Sequence, residues 1–348
     1  MKKKRKIVVA MSGGVDSSVV AAMLNEQGHE VIGVTLNLCK YNPDHDAKKV
    51  AQDINIKHYS LDLKKDFDKT VISDFITSYV SGETPNPCLT CNKKMKFGAL
   101  YDFAKKLGAD ALATGHYVQK HVNGDQIELH RAVDLLKDQS YFLFVLNKEK
   151  LNFLEFPLGK YKKSEIRDFA RKYNLIVAEK AESKDVCFIP DGNRAKLIDD
   201  SCNHSAKPGN IVDKEGDILG THTGIIHYTV GQRRGLGVTR EKPLYVIRID
   251  SRSNEVIVGY EEDLQKPEFY IRNTNWFIDP ESIKDQIVDI KIRSMHSGDK
   301  ARVELSDAEK SIYKVTPLSQ SKAVAPGQAC VIYSDTRMLG GGFIHSVT

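Results

Sequence analysis

The sequence predicts a doubly wound α/β domain with a parallel sheet, followed by a small mostly-β central domain and a C-terminal β-barrel. Three observations predict it. Over residues 6–120, short β-like runs alternate with helical ones, the pattern of a parallel sheet covered by helices. The first run ends in Ser12-Gly13-Gly14-Val15-Asp16-Ser17-Ser18, a glycine turn that feeds a helix. From about residue 205, helical periodicity fades and Gly, Thr and β-branched residues dominate. These changes set the expected domains at 1–200, 201–267 and 268–348.

Ile7 to Met11 is an apolar run, and Lys6–Ala10 reads as the first strand. Residues 17–27 read as a helix stopped by Gly28. Residues 29–38 form a second strand, 44–54 a helix and 57–61 a third strand. Residues 67–80 and 94–107 are helical, and 110–114 is a further strand. Ligands of such sheets sit beyond the carboxyl ends of the strands. The glycine turn, Leu36 and Gly115-His116 all fall at such ends. Asn123-Gly124 joins 118–121 and 126–130 as a hairpin. An apolar run at 142–146 and an amphipathic helix at 164–173 follow. The stretch 182–190 is rich in turns and holds Cys187. Beyond 205, Pro208-Gly209, Lys214-Glu215-Gly216, Asn254 and Pro267 separate short strands such as 244–249 and 255–258. Strands at 286–293, 301–305, 311–315, 329–333 and 342–345 complete a small barrel or sandwich.

With 348 residues, the chain can build two or three cores. A hydrophobic content of 41% with 28% charged residues fits a soluble globular protein. No apolar run reaches a membrane span, so no membrane partner is expected. The basic start, Met1-Lys2-Lys3-Lys4-Arg5-Lys6, runs straight into a strand with no secretion-type apolar region behind it. A cytoplasmic location and reduced cysteines follow as expectations. A net charge of +5 is compatible with a nucleic-acid partner.

The glycine turn has the makings of an anion site. Free backbone N–H groups and the positive end of the helix dipole both face it. The two glycines admit a phosphate closely, and Ser12, Ser17 and Ser18 add hydroxyl donors. No GxxxxGK[ST] occurs, so this is not a Walker A loop.

Two sulfur settings stand out. Thr84-Pro85-Asn86-Pro87-Cys88-Leu89-Thr90-Cys91-Asn92 leads into a helix. A thiol at a helix N-terminus is expected to have a lowered pKa. Cys187 follows Lys184, a cation that would favour its thiolate. A zinc site needs four ligands, and there is no second CxxC, although Cys187 and a histidine would complete one. A thioredoxin-like pair is a further alternative, in a sequence unlike that active site. Cys39, Cys202 and Cys330 read as buried structural thiols.

The turn resembles the SGGxDS loop of the PP-loop ATP pyrophosphatase superfamily, which is adenine nucleotide alpha hydrolase-like in fold. Its members cleave ATP to an adenylated intermediate and pyrophosphate. Further motifs are GETPNPC-x-x-CN (82–92), KFGAL (96–100), ATGHY (113–117), KDQSYFL (137–143), SKDVCFI (183–189), TVGQRRGLG (229–237) and APGQACV (325–331). Together with AMSGGVDSS (10–18), they resemble the bacterial tRNA-specific 2-thiouridylases over nearly the full length.

That resemblance implies an ATP-dependent sulfurtransferase that replaces the C2 oxygen of a tRNA wobble uridine by sulfur. It implies that Ala10, Met11, Ser12, Gly13, Gly14, Val15, Asp16 and Ser17 hold ATP, with Leu36 and Gly115 lining the site. Asp16 is a candidate to place Mg2+. Cys187 matches the persulfide-bearing cysteine, and Cys91 the partner thiol that ends in a Cys91–Cys187 disulfide. Asn86, Pro87 and Cys88 fall where the family meets the target base. His116, Lys137, Asp138, Gln139, Ser140, Arg293, Ser294 and Gln328 match positions that approach tRNA. Arg233 and Arg234 are read as further tRNA contacts. The implied partners are tRNA of the Lys, Glu and Gln type and a cysteine desulfurase or sulfur-relay protein.

Two departures matter. Many family members carry aspartate where this chain has Cys88. Cys88, Cys91 and Cys187 therefore raise a second mechanism, a four-iron–four-sulfur cluster with one open iron site. The stretch 39–46 is also shorter than the usual family loop, so contacts from that loop are not transferred. Two other functions compete. One is another PP-loop adenylating enzyme acting on a small metabolite, and the other is an RNA-binding protein with a relic nucleotide pocket. Neither accounts for the Cys91/Cys187 pair.

Overall fold

The computed structural model describes residues 3–39, 45–124, 126–182, 186–189, 192, 194–201, 207–319 and 321–347. The chain forms two compact units. One comprises Met1–Val71, Cys88–Pro190 and Thr336–Met338; the other comprises Ile72–Pro87, Asp191–Asp335 and Leu339–Thr348.

The elements of the first half, in chain order, are β1 (Lys6–Ala10), α1 (Val15–Glu26), β2 (Glu30–Asn37), α2 (His45–Asp53), β3 (Lys57–Asp62), α3 (Lys64–Phe67) and α4 (Ser73–Val80). Then come α5 (Pro87–Cys91), α6 (Leu100–Lys106), β4 (Ala111–Ala113), β5 (Val118–Asn123), β6 (Gln126–Arg131), β7 (Leu154–Glu155) and α7 (Lys163–Lys172).

In the first unit, five strands form a sheet in the order β3-β2-β1-β4-β7. Every pairing is parallel. Ile7, Val8 and Val9 of β1 are all buried, as a strand covered on both faces requires. The strand order reverses between β1 and β4, so the crevice at their carboxyl ends is the switch point of the sheet. Val15, Val19 and Val20 of α1 share a core with Ile166 and Ala170 of α7. That packing fixes the start of α1 above the crevice.

The helix expected at 94–107 begins earlier. Pro87 opens α5, because a proline at the first helical position forfeits only an N–H that has no intrahelical partner. Residues 92–99 continue in wide turns before α6. Buried Leu89, Met95 and Phe97 fix this path. The short strand β7 escaped the sequence because two residues carry no periodicity.

The second unit holds both β modules. β8 (Gly209–Val212), β9 (Ile218–His222), β10 (Tyr245–Asp250) and β11 (Glu255–Gly259) form a sheet in the order β10-β11-β8-β9. Ile211, Val246, Val256 and Val258 form its core. After β12 (Gln265–Lys266) come β13 (Phe269–Trp276), β14 (Val288–Lys291), β15 (Asp299–Asp307), β16 (Ile312–Pro317), β17 (Ser321–Lys322), β18 (Ala329–Ser334) and β19 (Arg337–Val347). Six of these run β13-β16-β15-β14-β18-β19, and β19 pairs back onto β13. Closure leaves the barrel with no free edge. Phe269, Ile271, Ile290, Val303 and Ile332 fill it. The sequence predicts 342–345 for the last strand, whereas β19 runs from Arg337 to Val347 through Gly340-Gly341-Gly342. In fact β19 needs glycine there: a Cβ on Gly340 would lie 2.5 Å from the Asn275 carbonyl oxygen.

Candidate nucleotide and thiol site

The glycine turn links β1 to α1 at the switch point. Gly13 has φ +73, a left-handed conformation that favours glycine. Gly14 caps α1 in extended backbone without a side-chain bond. The serines organise the turn. Ser17 Oγ accepts from the Ser12 amide at 3.1 Å, and Ser18 Oγ donates to the Gly14 carbonyl at 2.8 Å. Met11 is buried, and its amide donates to the Val34 carbonyl of β2 at 2.9 Å. Leu36, near the end of β2, is buried and pairs with Leu61 of β3.

Gly115, just beyond β4, faces the start of α1. A Cβ there would come within 2.9 Å of the Ser17 amide nitrogen. A side chain at this position would therefore cover an N–H at the positive end of the helix.

Asp16 lies in the first turn of α1 and is held by two partners. Lys163 Nζ donates to its two oxygens at 2.6 and 2.8 Å, and the Tyr117 hydroxyl donates at 2.7 Å. Burial and the Asp16 carboxylate push the Tyr117 hydroxyl up, so it stays protonated and a donor. Lys163 also pairs with Glu182 at 3.3 Å, and Glu182 accepts from Lys137 Nζ at 2.7 Å. The hydrogen bond from Lys137, with the charge of Lys163, holds Glu182 below the usual carboxylate range. Lys180 Nζ donates to the Gly13 carbonyl at 2.9 Å and to Asp46 at 2.6 Å. Lys163, Glu182 and Lys180 were not anticipated as site residues. The only sequence signal was a scatter of charges more than 100 residues from the turn.

The segment after β6 is tied inward. Asp138 accepts from the Ala132 and Ser140 amides and from the Ser140 hydroxyl. Gln139 accepts from the Tyr117 amide at 3.0 Å. His116 is buried against Phe97 and Phe156 and shares a 2.8 Å hydrogen bond with Thr114. Burial, reinforced by the charge of Lys96, drives its pKa well down, so the ring is neutral.

Cys88 and Cys91 sit on α5 and Cys187 in the turn 186–189. Leu89 of α5 itself is fully buried. Phe188 packs edge-on against Phe67 at 5.5 Å and pins the Cys187 turn. The expectation of lowered thiol pKa values is overturned. Burial raises Cys91, and desolvation by the surrounding protein raises Cys88 although that residue is exposed, both despite the favourable charge of Lys96. Cys187 is exposed as a residue, but desolvation of its sulfur by the protein around it, together with the neighbouring thiols Cys91, Cys39 and Cys88, pushes it up to about 12. A single turn of helix has little dipole to set against desolvation. Lys184 lies outside the described residues, as does Cys202. Cys330 is fully buried in the barrel, as expected of a structural thiol. Cys39 differs from that expectation: it is half-buried, and its Sγ donates to the Cys187 carbonyl at 3.4 Å.

Cys88, Cys91 and Cys187 influence one another electrostatically. Among the described residues, however, no three His, Cys, Asp or Glu side chains converge as ligands of one metal ion. Asp16, the candidate Mg2+ ligand, has its carboxylate engaged by Lys163 and Tyr117.

In the second unit, Asn86 is half-buried and Pro87 buried at the start of α5. The stretch before them is clamped. The Thr84 amide donates to the Pro326 carbonyl at 2.7 Å, and Gln328 Nε2 donates to the Thr84 carbonyl at 2.8 Å. Arg272 reaches Glu83 at 3.0 Å. Arg233, Arg234 and Arg293 are exposed, and Ser294 is half-buried. Among the described residues, no helix is long and apolar enough to cross a membrane.

A parallel sheet with a glycine turn at its switch point, followed by two β modules, defines a nucleotide-binding α/β enzyme of the PP-loop class. Three family descriptions match consecutive stretches: tRNA methyl transferase HUP domain over residues 5–191, tRNA methyl transferase PRC-barrel domain over 198–260, and aminomethyltransferase beta-barrel domain over 266–344. Among curated relatives, the tRNA-specific 2-thiouridylase MnmA of Rickettsia rickettsii (strain Sheila Smith) is 50% identical, across 98% of this chain and 97% of its own. The protein of the same name from Rickettsia prowazekii (strain Madrid E) is 50% identical, across 98% of both. The chain belongs to the tRNA-specific 2-thiouridylase family.

Proposed function

We propose that this chain is a tRNA-uridine 2-sulfurtransferase, which uses ATP to adenylate the C2 carbonyl of a wobble uridine and then exchanges that oxygen for sulfur. One observation carries this reading. A single compact unit holds both the anion-binding turn and a group of mutually interacting thiols. A pyrimidine carbonyl oxygen is a poor leaving group, and ATP converts it into one that departs as AMP. Ala10 to Ser17 cradle the phosphates through their N–H groups and hydroxyls. Leu36 lines the nucleotide, and bare Gly115 leaves the helix start open to it. Lys163 and Lys180 add positive charge on either side of the turn. Mg2+ bound to ATP would neutralise phosphate charge, and no step is assigned to Asp16 through it.

Sulfur transfer uses Cys187 and Cys91. The terminal sulfur of a Cys187 persulfide attacks C2, and AMP leaves. The Cys91 thiolate then attacks Cys187 Sγ, and the bond between that sulfur and the transferred one breaks. The base keeps its 2-thio group, and a Cys91–Cys187 disulfide remains. Were a four-iron–four-sulfur cluster bound, Cys88, Cys91 and Cys187 would hold it and its open iron site would carry the sulfur; the thiols alone suffice for the route above. Asn86, Pro87 and Cys88 face the target base, which is flipped out of its stack. Lys137 and Arg293, with Arg233 and Arg234, make phosphate contacts. His116, Asp138, Gln139, Ser140, Ser294 and Gln328 shape the surfaces around them. The substrates are tRNAs of the Lys, Glu and Gln type. A cysteine desulfurase or sulfur-relay protein loads Cys187, and the setting is the cytoplasm. The domains run 1–200, 201–267 and 268–348.

The test is ATP–pyrophosphate exchange with and without tRNA, followed by thiolation with iron withheld and mass spectrometry of the nucleosides. Exchange, 2-thiouridine from iron-free enzyme and its loss in Cys187→Ser are expected. Absence of exchange under both conditions overturns adenylation. Exchange on a small metabolite with no sulfur in tRNA would favour the small-molecule reading instead.

A further inference from the structure

Cys39 has no place in the steps above, yet it touches the backbone of the residue that carries the reacting sulfur. It follows β2, immediately after buried Leu38. Its Sγ donates to the Cys187 carbonyl oxygen at 3.4 Å. Both segments are anchored: Cys39 follows buried Leu38 just beyond β2, and Cys187 precedes Phe188, which packs against Phe67. The thiols also differ in access. Cys91 is buried, with 9% of its surface exposed, whereas Cys39 is half-buried and Cys187 exposed. A disulfide between Cys91 and Cys187 therefore has one sulfur out of reach of an external reductant. Cys39 is no isolated thiol, since Cys91 and Cys187 both sense its charge.

We propose that Cys39 is an exchange thiol, which takes over the disulfide left on Cys187 and returns Cys91 to its free form. This rests on the sulfur-transfer reading given above. The Cys39 thiolate attacks Cys187 Sγ, a Cys39–Cys187 bond forms, and the Cys91–Cys187 bond breaks. Cys91 leaves as a thiolate and takes up the proton that Cys39 gave up. One disulfide is consumed and one formed, so the step needs no oxidant. The product lies between the two more accessible sulfurs, where a small dithiol can reduce it and reset the enzyme.

The experiment uses the full chain, loaded with persulfide by inorganic polysulfide and given ATP and tRNA without reductant. The reaction is quenched in acid, free thiols are alkylated, and disulfide-linked peptides are mapped by mass spectrometry. In the wild type, Cys39–Cys187 is expected as the major linkage, with Cys91 alkylated. In Cys39→Ser, only Cys91–Cys187 is expected, and dithiothreitol should reduce it several-fold more slowly. A wild-type map with Cys91–Cys187 as the major linkage overturns the inference, whatever the variant does. If tRNA gains no sulfur and Cys187 enters no disulfide, the sulfur-transfer reading itself fails, and the role of Cys39 fails with it.

Discussion

Lys163 grips both carboxylate oxygens of Asp16, with Nζ at 2.6 and 2.8 Å. The pair ties α7 to the first turn of α1, 147 residues away in sequence. The Lys163 side chain is only 12% exposed and that of Asp16 33%, so water screens the pair incompletely. Removing one partner leaves the other poorly solvated. Lys163→Met and Asp16→Asn should each cost about 1–3 kcal/mol of stability in urea unfolding. The double variant should cost less than the sum, with a coupling of about 1 kcal/mol. Strict additivity would show that the pair contributes nothing to folding.

Gly115 offers a cleaner probe of the nucleotide site. It needs no left-handed backbone, so alanine there acts only through space. The added Cβ would press on the Ser17 amide at 2.9 Å and on the Asp16 carbonyl carbon at 3.2 Å. Both are backbone atoms that cannot swing aside. Gly115→Ala should weaken ATP binding by about 1–2 kcal/mol, roughly tenfold in Kd by calorimetry. Unchanged affinity would place the nucleotide elsewhere.

The turn and the thiols were legible in the sequence because each is a local pattern. Glycines at a strand-to-helix junction and a CxxC beside Pro87 declare themselves within a few residues. Lys163, Glu182 and Lys180 do not, because each reaches the turn only through the fold. Thiol acidity failed for a related reason. A helix start is visible in sequence, but the burial that raises Cys91 comes from distant elements. Gln328 was read as an RNA contact, while its bond to the Thr84 carbonyl could not be anticipated across 244 residues.

His116 gives a prediction about acid stability. Burial holds its folded pKa well below the ordinary 6.5. As pH falls below about 6.5, the unfolded chain takes up a proton that the folded chain refuses. Stability is therefore present above that pH and lost below it, with a limiting slope of about 1.4 kcal/mol per pH unit. The difference between wild type and His116→Gln in urea midpoints from pH 5 to 7.5 isolates this residue from the other histidines. Parallel curves would mean that His116 titrates normally.

Lys96 tunes the thiols. Its positive charge opposes the desolvation that raises Cys88, Cys91 and Cys187. With Cys187 pushed up to about 12, the thiolate is scarce at neutral pH in the resting protein. At pH 8, its thiolate fraction is on the order of a thousandfold below that of a free cysteine. The higher basicity of that thiolate restores some nucleophilicity, so iodoacetamide should modify Cys187 about 30- to 100-fold more slowly than a model thiol. The rate should rise steadily with pH, because the thiolate is the reacting form. Lys96→Met removes the favourable charge and should move the alkylation profiles of Cys91 and Cys187 to higher pH, whereas Lys96→Arg should leave them in place. Peptide-resolved alkylation kinetics between pH 7 and 10.5 make the comparison. Coincident profiles for Lys96→Met and wild type would show that this charge does not reach the sulfurs.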